Sequence, residues 1–113
     1  MTEKGRTNES AELRRLRRRI DLLDRRIVRL LNERAGLARD VGRAKANAGR
    51  RAVRDAERER EVLLRVTIAN EGPTPQADLL AIYRRLFAVA RGLETRDRKR
   101  ANDQRDGSTK PPH

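Results

Sequence analysis

Apolar side chains recur three and four residues apart between residues 13 and 45, at Leu13, Leu16, Ile20, Leu23, Ile27, Leu30, Leu37, Val41 and Ala44, with charged residues between them. This spacing predicts one very long amphipathic helix. One further position of the same stripe, between Leu30 and Leu37, is Arg34, and a guanidinium in an apolar seam is costly to desolvate unless something anionic meets it. The helix is expected to stop at residues 46–49, where Asn47 and Gly49 tolerate a left-handed cap. Asp55 is a suitable N-cap for a second helix, whose inward stripe is Val62, Leu63, Val66 and Ala69. One turn earlier that face carries Arg58 and Glu59, polar where apolar residues would be usual. Asn70-Glu71-Gly72-Pro73 stops the second helix, and Thr74 followed by Pro75 starts a third. Leu79, Ile82, Tyr83, Leu86, Phe87, Val89, Ala90 and Leu93 supply its buried face, and Glu94 falls on the row of Tyr83, Phe87 and Ala90. Residues 1–11 and 96–113 lack the pattern and read as disordered ends around one all-α domain over residues 12–95.

Length sharpens this picture. The 33 residues from 13 to 45 span roughly 50 Å as a helix, whereas a compact globule of 113 residues is about 35 Å across. The long helix therefore overhangs a single protomer while its apolar stripe continues, which predicts an obligate dimer.

Composition narrows the chemistry. There are no cysteines, and the lone histidine is His113, so neither a disulfide framework nor a His- or Cys-based nucleophilic mechanism is expected, and no metal site is predicted. No apolar run approaches a membrane span and residues 1–10 lack an apolar targeting core, so a cytoplasmic protein is the expectation. The net charge of +12 fits a solvated helical surface or an anionic partner. Tyr83 and Phe87 are the only aromatics, too few to make stacked nucleic acid the favoured partner over a small polyanion. A basic nucleic-acid-binding or coiled-coil module stays the alternative from another class.

Several cations have informative positions. Arg34 and Lys45 are eleven residues apart, three helical turns, and so share a face about 16 Å apart. Lys45 is one of four lysines among 29 basic residues, and a solvated helix end explains it nearly as well as a ligand does. Arg17 sits about 25 Å along the axis from Arg34 and roughly 100° around it, so a straight helix cannot aim both at one small molecule. A shared site would need Arg17 from a second subunit; periodicity alone favours a solvated run with Arg14, Arg15, Arg18 and Arg19.

In order and near-constant spacing, Leu16-Arg17, Ile20-Asp21, Leu23-Asp24, Leu30-Leu31-Asn32-Glu33-Arg34, Val41-Gly42-Arg43-Ala44-Lys45, Val53-Arg54-Asp55 and Glu57-Arg58-Glu59 resemble the all-helical class of chorismate mutases. The third helix fits as Ile82-Tyr83-Arg84-Arg85-Leu86 running to Ala90 and Glu94. The resemblance covers residues 13–95 and implies an intertwined homodimer of three-helix protomers with two equivalent sites. It implies that Arg34 and Arg58 hold the two carboxylates of chorismate together with Arg17 from the neighbouring subunit. It further implies that Lys45 donates to the ether oxygen of the breaking bond, and that Glu59, helped by Asp55, binds the ring hydroxyl. Glu94 stands where many members carry glutamine as a second donor to the ether oxygen, and is expected to act there in its protonated form. Ala90 replaces a common serine, and the loop after Lys45 is one residue longer than in some relatives.

The implied reaction, rearrangement of chorismate to prephenate, is concerted and calls for no cofactor, metal or nucleophile. It needs conformational restraint and stabilisation of charge as a C–O bond breaks, which arginine forks and a lysine ammonium supply. Isochorismate-pyruvate lyases and aminodeoxychorismate mutases look similar, and are the alternatives within the fold.

Overall fold

The computed structural model describes residues 10–50 and 54–109. Three helices follow one another: α1 is Ala11–Asn47, α2 is Ala56–Ala69 and α3 is Gln76–Thr109. The all-α, three-helix expectation is met, and no strand occurs among the described residues. No helix among them is long and apolar enough to cross a membrane. The chain divides into two compact units, one ending at Arg34 within α1 and the other beginning at Ala35.

The first unit is the N-terminal part of α1. Ser10 caps it, its Oγ accepting from the Leu13 N–H at 3.1 Å. Its apolar stripe is half exposed, from 45% at Leu16 to 58% at Leu30.

The second unit contains the end of α1, with α2 and α3. Here the sheltered residues of α1 are Ala35, Ala38, Arg39, Gly42 and Lys45, while the stripe residues Leu37 and Val41 stay exposed. Small residues at Ala35, Ala38 and Gly42 present a flatter face than leucines do, which corrects the expectation for this end of the helix. The α1 terminus closes as a Schellman motif around Gly49, at φ +78°. The Arg50 N–H donates to Lys45 C=O at 2.9 Å and the Gly49 N–H to Ala46 C=O at 3.0 Å.

Asp55 caps α2 as expected, its Oδ1 accepting from the Arg58 N–H at 3.0 Å. Asn70 ends α2 and organises the turn, Oδ1 accepting from the Gly72 N–H at 3.0 Å and Nδ2 donating to Thr74 C=O at 3.1 Å. Gly72 takes φ +82°, the left-handed conformation the turn requires. Helix α3 starts at Gln76, one residue later than the expected Pro75, with Pro75 C=O accepting its first bond from the Leu79 N–H. Phe87 is the buried centre of α3, with Tyr83 edge-on to it at a ring separation of 6.4 Å. Ile82 and Val89, expected to be buried, are 51% and 42% exposed.

The largest departure is at the other end of α3. The segment expected to be a disordered tail is helical as far as Thr109. Arginine, lysine, alanine and glutamine there are good helix formers although they offer no apolar stripe. Asp97 receives two hydrogen bonds from Arg39 of α1, at 2.8 and 2.9 Å, which anchors the added turns. Residues 51–53, which include Val53 of the expected loop, and most of the N-terminal segment lie outside the described residues.

Candidate active site

Two polar side chains that the sequence placed on inward faces meet in the second unit. Lys45 lies two residues before the end of α1, and its side chain is 11% exposed. Its Nζ stands 3.3 Å from Oε1 of Glu94, the most deeply covered charged side chain described. Glu94 comes this close because Gly42 lies one turn before Lys45. A Cβ at that position would stand 2.8 Å from Glu94 Cγ, inside any real carbon contact. On the far side Arg98 Nη2 is 3.5 Å from the same Oε1 and donates to Arg50 C=O at 3.0 Å. Glu94 Oε1 nevertheless accepts no hydrogen bond from a described residue. A buried acceptor flanked by an ammonium and a guanidinium marks a place where a polar ligand atom can be received.

Helix α2 brings its own carboxylate. Glu59 Oε2 accepts from Arg91 Nη1 of α3, and its Oε1 lies 3.6 Å from Arg54 Nε. These groups line a cavity of about 200 Å³ together with Phe87 and Leu63. Asp55 is engaged as the α2 cap, and Ala90 is half-buried on α3. Arg58 is more than half exposed and pairs with Glu61 at 3.4 Å on its own helix. In the first unit, Arg34 is half-buried and Arg17 exposed on α1. Lys45 and Glu94 are therefore brought into direct contact, and Glu59 of α2 is held by Arg91 of α3, whereas Arg58 turns to a neighbour within its helix.

Beside this pair, the Arg39–Asp97 bridge stiffens the α1–α3 contact. Hydrogen bonding from Arg39 holds the Asp97 carboxyl below the usual carboxylate range against some opposing desolvation, and the same bond raises Arg39. The arrangement suits binding and electrostatic stabilisation of an anionic molecule through fixed cations and a sheltered acceptor.

Three contributors went unread in the sequence. Gly42 was visible within Val41-Gly42-Arg43-Ala44-Lys45, but only packing reveals which side chain it admits. Arg91 and Arg98 are hidden among 25 arginines, and the i,i+4 spacing of Glu94 and Arg98 was the one signal available.

Known proteins resemble this chain in sequence and in fold. The family model described as chorismate mutase type II matches residues 16–95. The bifunctional chorismate mutase/prephenate dehydratase of Aquifex aeolicus is 40% identical over 87 residues, covering 74% of this chain and 24% of that protein. The enzyme of the same name from Neisseria gonorrhoeae is 38% identical over 78 residues, covering 69% of this chain and 21% of its own length. This chain thus matches only about a quarter of these relatives. The solved structure of chorismate mutase (form II) from Thermus thermophilus superposes with a TM-score of 0.71 at 33% identity, covering 75% of this chain and 96% of that one. With the family model spanning most of the chain and three helices that superpose on a solved member, this chain belongs to the chorismate mutase type II family.

Proposed function

We propose that this protein is a chorismate mutase that converts chorismate to prephenate, in the biosynthesis of aromatic amino acids, and works as a cytoplasmic homodimer. The observation that carries the reading is the sheltered contact between Lys45 and Glu94, two residues the family resemblance assigns to the ether oxygen. Arg34 and Arg58, with Arg17 of the partner subunit, grip the two carboxylates and hold the enolpyruvyl arm over the ring. Lys45 meets the negative charge that grows on the ether oxygen as the bond lengthens, so its interaction is stronger in the transition state than in the ground state. Glu94 supplies a second donor there when protonated. Glu59 and Asp55 orient the ring through its hydroxyl. Neither a cofactor nor a metal takes part in this scheme, and nucleic acid is not a partner in it.

The half-exposed stripe of Leu16, Ile20, Leu23, Ile27 and Leu30 supports the dimer, since a row of large apolar side chains on one helix face is costly to leave in water. Product identification after incubation with chorismate, isochorismate or 4-amino-4-deoxychorismate tests the reading. Prephenate from chorismate is the expected product, and Lys45→Ala is expected to lower kcat by about 10²- to 10³-fold. Pyruvate release from isochorismate, or indifference to Lys45→Ala, would refute it.

A further inference from the structure

Among the described residues lining its cavity, Glu59 is the one acid, and Arg54, Arg60, Arg84 and Arg91 all contribute to the wall. Both carboxylate oxygens are engaged, Oε2 by Arg91 and Oε1 by Arg54. The two cations differ in weight: the Arg54 side chain is 67% exposed and screened by water, whereas Arg91 is 32% exposed and bonds Glu59 directly. A carboxylate held this way keeps lone pairs for a neutral hydroxyl donor. The charge around it, however, is net positive, so a protonated amine would enter against like charge.

The geometry points to Arg91 as a specificity-determining residue: by neutralising Glu59 it makes this subsite accept a ring hydroxyl and reject a ring ammonium. The inference rests on the reading of Glu59 as the group that orients the ring hydroxyl, and it separates the hydroxyl substrate from its amino analogue, which the family resemblance alone does not. It also gives a use to an arginine adjoining Ala90, where the family often has a serine. Specificity here comes from a built-in repulsion as much as from an attraction.

The test compares kcat/KM for chorismate and for 4-amino-4-deoxychorismate in the full chain, using wild type, Arg91→Gln, Arg91→Lys, Glu59→Gln and the double variant Arg91→Gln/Glu59→Gln. Arg91→Gln is expected to raise the amino-to-hydroxyl ratio by about tenfold, Arg91→Lys to keep it near wild type, and the rise to shrink once Glu59 is glutamine, because only the relief of repulsion then remains. A bridge that only ties α3 to α2 would lower both rates together and leave the ratio unmoved. An unmoved ratio, or a rise undiminished without the Glu59 carboxylate, overturns the assignment. Wild type that turns over neither compound overturns the proposed function itself, a distinct outcome from an active enzyme whose ratio ignores Arg91.

Discussion

At the scale of single residues, the placement of Glu94 beside Lys45 depends on one missing methyl group. The Glu94 chain crosses α1 where Gly42 has only hydrogen, and a methyl 2.8 Å from Cγ would force the carboxyl away from the ammonium. Gly42→Ala is therefore expected to lower kcat by about 100-fold with little change in KM, as a misplaced catalytic group does. The same substitution in a Glu94→Ala background removes the collision. There it should stabilise the helix by up to about 1 kcal/mol, because alanine is the better helix former, and the melting temperatures of the four proteins report the difference. Equal destabilisation in both backgrounds would mean that Gly42 serves something other than Glu94. The sequence made Lys45 and Glu94 visible because each interrupts a periodic stripe or a composition bias. It could not expose Gly42, Arg91 or Arg98, since a close approach and a choice among many arginines exist only once helices are packed.

At the scale of elements, α3 shows where patterning is blind. Hydrophobic periodicity located its core segment around Phe87 and stopped at Leu93, yet the helix runs on to Thr109. What continues it is propensity together with polar anchoring, chiefly Arg39 to Asp97 and Arg98 to Arg50 C=O, and neither leaves a periodic trace. The anchor has a pH signature. The Asp97 carboxyl titrates lower when folded than when unfolded, so its contribution is complete above the ordinary carboxylate range and disappears as pH falls through the lower folded value. Thermal melts in acid should thus show a steeper loss of stability for wild type than for Asp97→Asn, with the two curves converging at the lowest pH. Parallel curves would show that the bridge contributes nothing. Arg39→Gln should reproduce the Asp97→Asn curve, since either change removes the same pair.

At the scale of the whole molecule, the proposed dimer rests on the open apolar stripe on α1 and on the spacing of Arg17 from Arg34. Arg17→Ala and Lys45→Ala proteins, each strongly impaired alone, are expected to regain part of the wild-type activity when mixed, because hybrid dimers rebuild one complete site. Absence of recovery after mass spectrometry has shown subunit exchange would rule out a site shared between subunits. The three-helix plan was readable from stripes, caps and the Gly72-Pro73 stop, while pairing between helices was not, because it depends on which small residues let two surfaces approach. The Tyr83–Phe87 pair has a practical consequence as well. With no tryptophan and a single tyrosine in the chain, intrinsic fluorescence and near-ultraviolet dichroism come almost entirely from a ring packed edge-on against the buried centre of α3. Unfolding can thus be followed from one internal chromophore without a label, and a protein so nearly transparent in that region leaves the optical window open for watching an absorbing substrate disappear.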